Sequence, residues 1–146
     1  MEREGQPLIG FNMPGWALPA ALQTEPGVAR FRKTTPDSFL RTGLAEWLAG
    51  QGVQHLVICG HSTEYCVDTS TRRAAGLGFS VTLVADAHTS HDKPHASGAH
   101  IRAHHNATLP NLTSFGVVKA AVPSAQIAFA AVGVAVAVAV AVADRV

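Results

Sequence analysis

The sequence predicts an α/β fold, a mostly parallel sheet in a three-layer α-β-α arrangement, and three observations carry that expectation. Short apolar runs at residues 53–59 (VQHLVIC) and 79–85 (FSVTLVA) have the length of buried strands. Segments with helical spacing lie between and beyond them, the alternation that builds a parallel sheet. Residues 53–71, VQHLVICGHSTEYCVDTST, read as strand, glycine turn, cysteine and helix. That order delivers a side chain to the carboxyl end of a strand, where open α/β sheets place their sites.

Each element has its own warrant. Residues 1–27 are punctuated by Pro7, Gly10, Pro14, Gly15, Pro19, Pro26 and Gly27, which predicts an irregular segment with Trp16 and Leu18 as loop anchors. Residues 28–34, VARFRKT, alternate loosely and predict a strand with Lys33 near its end. Thr35 or Asp37 can cap a helix bearing Leu40, Leu44, Trp47 and Leu48, which Gly50 or Gly52 ends. The central strand follows at 53–59, then a helix over 67–77 with Thr71, Ala74, Ala75 and Leu77 as its modest apolar face. Gly76 and Gly78 close that helix, and Asp86 ends the next strand. A last helix is expected over 94–109, broken at Pro110, and a last strand at FGVV, 115–118.

The tail reads differently. Residues 127–143 are uninterrupted apolar sequence, mostly Ala and Val, just under the length of a membrane helix. Alanine contributes little transfer free energy, so a span is not expected. Strict Val/Ala alternation suits a strand with two apolar faces. A loose helix, a sticky strand, or sequence outside the functional design are the alternatives. The expected organisation is one domain over 1–123 and a low-complexity tail over 124–146.

Composition narrows function. The chain has 146 residues, 11 Lys plus Arg against 10 Asp plus Glu, and only 14% charged residues. There is no basic patch with interleaved aromatics, so no nucleic-acid partner is expected. Two cysteines, Cys59 and Cys66, lie in one strand–turn–helix unit, without zinc spacing and without the density of a disulfide scaffold. Residues 1–11 lack a signal-peptide apolar run, and a reduced, cytoplasmic setting is the expectation. Cys59 reads as core. Cys66, at a helix start, reads either as an activated thiolate or as a buried structural cysteine. Of the eight histidines, His88, His91, His95, His100, His104 and His105 crowd residues 88–105. Only Asp92 accompanies them, so no metal and no cofactor are expected.

Residues 60–90, GHSTEYCVDTSTRRAAGLGFSVTLVADAHTS, resemble the cysteine hydrolases of the isochorismatase-like superfamily, which includes nicotinamidases and other amide hydrolases. The stretch RKTTPDSFLRTGLAEWL, 32–48, is similar to the segment bearing the family's lysine, and residues 5–21 resemble the irregular loop before it. The resemblance implies Cys66 as nucleophile and Lys33 as the lysine that stabilises its thiolate. It also implies a cis peptide between His61 and Ser62, with the backbone N–H groups of Ser62 and Cys66 as an oxyanion hole. Thr63 and Glu64 would brace the turn, and Asp86 would be a structural cap.

The implied activity is hydrolysis of a small-molecule amide through an acyl-enzyme. His61 is a candidate for the substrate pocket, and Trp16 and Phe39 read either as pocket lining or as packing residues. A homo-oligomer is implied as well. One departure stands out: the family's aspartate ends a first strand well before the lysine, and no apolar run ending in Asp precedes Lys33. The expectation is therefore a member lacking that strand and its aspartate. Asp37 and Glu64 are the candidate substitutes, against a helix-capping role for Asp37 and a turn that aims Glu64 away. His61 reads as a substrate contact or an ordinary loop histidine. The alternative is a silent member of the fold that acts in ligand binding or oligomerisation.

Overall fold

The computed structural model describes residues 17, 20 and 26–129, together with the backbone of 136–141. Helix α1 (Leu44–Gly50) leads into strand β1 (His55–His61). A π-helical turn, Thr63–Val67, runs directly into helix α2 (Asp68–Gly76). Strand β2 (Ser80–Thr89), helix α3 (Gly98–Thr108), strand β3 (Lys119–Val122) and strand β4 (Val136–Ala141) complete the order. The four strands form one sheet in the order β3-β2-β1-β4, and every pairing is parallel.

The strands are where the apolar runs place them. Leu56, Val57 and Ile58 are all buried, as are Val81, Leu83 and Val84, so consecutive residues of β1 and β2 are covered whichever face they point to. This is the signature of strands sandwiched on both sides. Leu48, Phe39, Leu44, Val67, Ala74 and Leu109 pack against them as the core. Leu56 through Ile58 pair in step with Val81 through Leu83, and then the register jumps, so that Gly60 faces His88. The extra β2 residues bulge outward, leaving Asp86 and Ala87 exposed and returning His88 to the interior. Gly60 accommodates the break at φ 129°, a conformation that side chains disfavour.

Five expectations need correction. Asp86 does not end its strand; β2 runs past it to Thr89. Residues 28–33 form no strand; Phe31 instead sets its ring edge-on to Trp47 at 5.7 Å. The first helix begins at Leu44, later than its apolar spacing suggests. Asp37 Oδ1 accepts from Phe39 N–H, Thr42 donates back to the Ser38 carbonyl and Arg41 sits at φ 57°, so local turns replace the helix's first part. The third helix begins at Gly98, where Ser97 caps it by accepting from His100 N–H. The segment 115–118 is not a strand; Gly116 at φ 71° closes a short 3-10 turn, and the strand starts at Lys119.

Of the alternatives for the tail, the strand is the one described: β4 lies along β1 with Leu56 opposite Val136 and His61 opposite Ala141. β1 is thereby interior to the sheet rather than an open edge. Among the described residues no helix is long and apolar enough to cross a membrane.

A chain ending at Ile127 is expected to lose the β4 ladder and leave β1 unpaired on that side. Its urea midpoint should fall, and gel filtration should show larger species than the full chain gives. An unchanged midpoint and elution would mean that β4 adds nothing to the fold.

Candidate active site

The site grows from the carboxyl end of β1. The His61–Ser62 peptide is cis, and the Ser62 carbonyl accepts from the N–H groups of Tyr65 (3.2 Å) and Val67 (3.0 Å). This winds residues 63–67 into the wider π-helical turn, which α2 then continues. Cys66 therefore sits in the first turn of a continuous helical segment, where unpaired N–H groups and the helix dipole favour negative charge. Its side chain is fully buried.

Lys33 reaches this sulfur from a distant part of the chain. Its Nζ lies 3.3 Å from Cys66 Sγ and also donates to the carbonyls of Thr35 (2.9 Å) and Pro36 (3.4 Å). Those carbonyls aim the ammonium, and α2 in turn anchors the loop that bears them. Ser70 Oγ lies 3.2 Å from the Pro36 carbonyl and 2.9 Å from Ser38 Oγ, and it accepts from Ser38 N–H at 3.2 Å. Cys66 and Ser70 are four residues apart and so share a helix face. One face of one helix carries the sulfur and fastens the loop that supplies its cation.

Glu64 ties the turn to the loop after β2. Its Oε2 accepts from Ser62 Oγ (2.8 Å), while Oε1 accepts from Ser90 Oγ (2.8 Å) and from Lys93 Nζ (2.7 Å). Burial alone would raise this carboxyl. The bonds from Lys93, its own backbone, Ser62 and Ser90 outweigh burial and hold it down at about 2. Lys93 also lies over the Tyr65 ring, 5.3 Å from its centroid. The same loop is pressed against the start of α3. Gly98 N–H donates to Asp92 Oδ1, and a Cβ at Gly98 would lie 2.3 Å from the Ser90 carbonyl oxygen. Only glycine fits that approach.

The remaining sequence candidates fall as follows. His61 is partly exposed at the rim, its Nδ1 3.3 Å from Thr89 Oγ1 and its ring 4.9 Å from that of His91. Phe39 lies in the core, stacked on Phe79 with centroids 6.1 Å apart. Trp16 falls outside the described residues. Asp37 is engaged by Phe39 N–H and faces Arg73 at 3.7 Å. Asp86 caps the turn at Ser124, accepting from both its N–H and its hydroxyl, and these bonds hold its carboxyl below the usual range. Cys59 is half-buried, and burial pushes its thiol up. Ser70, Ser90, Lys93 and the His88–Asn106 pair were not singled out for the site from sequence. Each acts through a partner 18 or more residues away, which no local pattern reveals. Among the described residues, no group of three His, Cys, Asp or Glu side chains converges as metal ligands would.

The family model described as the isochorismatase domain matches residues 1–114. The chain belongs to the isochorismatase family. It is 41% identical over 85 residues to a streptothricin hydrolase of Streptomyces noursei, covering 58% of this chain and 31% of that protein. Similarity to a ureidoacrylate amidohydrolase of Agrobacterium fabrum is 32% over 86 residues, covering 59% of this chain and 37% of the relative. Among solved structures, one described as an isochorismatase family protein superposes with a TM-score of 0.71 at 32% identity. That match covers 78% of this chain and 66% of the other. The chain thus spans between 31% and 40% of the length of the streptothricin hydrolases it matches.

Glu64→Gln keeps the shape of the side chain and removes its charge. Because the folded carboxyl lies near 2 and its ordinary value is 4.5, its contribution to stability is complete above pH 4.5 and is lost as pH falls toward 2. Melting curves should place the variant below the wild type at pH 7, with the gap closing across that window. A gap that persists at pH 2 would show that the charge is not the cause.

Proposed function

We propose that the chain is, or is part of, a hydrolase that cleaves the carbon–nitrogen bond of a small-molecule amide through the sulfur of Cys66. The observation that carries this reading is the 3.3 Å contact between Lys33 Nζ and Cys66 Sγ at the carboxyl end of β1. The thiolate is the form of a cysteine that attacks carbonyl carbon, and the Lys33 ammonium stands where a counter-charge to it is needed. Relatives named as hydrolases, one of them an amidohydrolase, support the same reaction class.

In the proposed reaction the thiolate adds to the amide carbonyl, forming a carbon–sulfur bond and moving the carbonyl electron pair onto oxygen. The backbone N–H groups of Ser62 and Cys66 are the assigned donors to that oxyanion. Collapse expels the amine, which needs a proton, and Lys33 is the described group positioned to supply one. Water then attacks the thioester and passes a proton to the now neutral Lys33 amine, releasing the acid, restoring the Cys66 thiolate and returning Lys33 to its ammonium form. His61 at the rim is assigned to substrate contact. Assembly into a homo-oligomer and a cytoplasmic location belong to the same proposal.

A second reading, a silent member of the fold, is favoured by one observation. The carboxylates near Cys66 or Lys33 in sequence are committed elsewhere: Glu64 to Ser62, Ser90 and Lys93, Asp68 to Arg72, and Asp37 to Phe39 N–H. Among the described residues, none of these carboxylates bonds the sulfur.

Iodoacetamide labelling separates the readings. Exposure alone favours Cys59, which is half-buried, over Cys66, which is fully buried. If Cys66 is an activated nucleophile it should label first, and Lys33→Gln should slow that labelling about tenfold or more. Faster labelling of Cys59, with no effect of Lys33→Gln, sinks the hydrolase reading.

A further inference from the structure

The β2 bulge turns His88 inward, and no step of the proposed reaction uses it. The imidazole is fully buried and held at both nitrogens: Nδ1 lies 2.9 Å from Thr63 Oγ1, and Nε2 lies 2.9 Å from Asn106 Oδ1. The Asn106 amide is oriented independently, because its Nδ2 donates to the Ala85 carbonyl at 3.0 Å. Its oxygen therefore faces the ring. A carbonyl oxygen only accepts, so Nε2 carries the hydrogen; a neutral ring then leaves Nδ1 as acceptor, and the Thr63 hydroxyl donates to it. One amide on α3 thus fixes the tautomer on β2 and, through it, the direction of a hydroxyl in the turn after β1.

Thr63 begins the π-helical turn that carries Cys66, and it is itself fully buried. We propose that His88, held as the neutral Nε2–H tautomer between Asn106 and Thr63, is the positioning residue that fixes the Cys66 turn against β2 and α3. The second half of this inference rests on the nucleophile reading; the tautomer does not. The surroundings oppose a charged ring. Burial lowers the affinity of His88 for a proton, the Asn106 bond partly offsets that, and Arg102 and His105 on α3 repel a second positive charge. Asp68 on α2 faces His105 at 3.7 Å, and Arg72 holds both oxygens of that carboxylate. Asp86, on β2 itself, is turned outward to Ser124. A proton on Nδ1 would set two donors face to face until the Thr63 hydroxyl rotates, leaving its hydrogen without its present acceptor inside the protein.

Long-range proton–nitrogen spectra of the histidine rings test the first half on the full chain. Between pH 8 and 5.5 His88 should remain a neutral Nε2–H ring. An Nδ1–H tautomer, or protonation of both ring nitrogens within that range, overturns the inference. The second half is read from iodoacetamide labelling of Cys66 at pH 7.5. Thr63→Val should slow it about tenfold, and Thr63→Ser, which restores the hydroxyl, should bring it back to within about twofold of wild type. Unchanged labelling in Thr63→Val overturns the positioning role. If that variant does not fold, Asn106→Leu, which removes the partner on the other side of the ring, carries the same expectation. Wild-type Cys66 labelling no faster than Cys59 would defeat the nucleophile reading instead, and the ring spectra would still decide the state of His88.

Discussion

A strand buried on both faces must hand its chain to the next element without stranding backbone groups away from water. β1 meets this constraint at its carboxyl end, where the Ser62 carbonyl takes two N–H donors and starts the helical turn. Three attachments of the candidate site start within four residues of that carbonyl. Thr63 turns to His88, Glu64 gathers Ser62, Ser90 and Lys93, and Cys66 meets Lys33. The turn is short, and each of its polar side chains is directed to a different part of the molecule.

Two of these attachments differ in electrostatic character. Glu64 is a charged hub whose carboxylate is stabilised by three side-chain donors, so it draws strength from remaining ionised. His88 is a neutral hub in the interior, between a carbonyl oxygen and a hydroxyl, so it draws strength from remaining uncharged. The turn is therefore held from one side by ionic bonds near the surface and from the other by a neutral chain in the core. Both anchors lie on or just after β2, whose bulge supplies the extra residues needed to reach them.

The order of strands and helices from residue 53 to 109 was legible because apolar run length and glycine punctuation are local properties. Legibility ended where local rules compete. The spacing of Leu40, Leu44 and Leu48 is helical, yet Asp37, Arg41 and Thr42 close turns that take the place of the helix's first half. FGVV has strand composition, but Gly116 takes a left-handed conformation and delays the strand to Lys119. Phe39 is aromatic and near Lys33 in sequence, but tertiary packing placed it on Phe79 in the core. In the tail, Val/Ala alternation is compatible with several structures, and pairing along β1 selects the strand.

The parallel α/β framework, the position of Cys66 at a strand's carboxyl end and the family to which the chain belongs are all legible in the order of residues. Those follow from short-range pattern and from a contiguous motif, both of which survive in one dimension. Only the tertiary structure decided what surrounds the sulfur. It brought Lys33 across 33 positions of chain to Cys66, and Asn106 across 18 to His88. Hydrogen bonds at such separations depend on how strands and helices are stacked, and stacking is fixed by the burial of the whole core rather than by any segment of it.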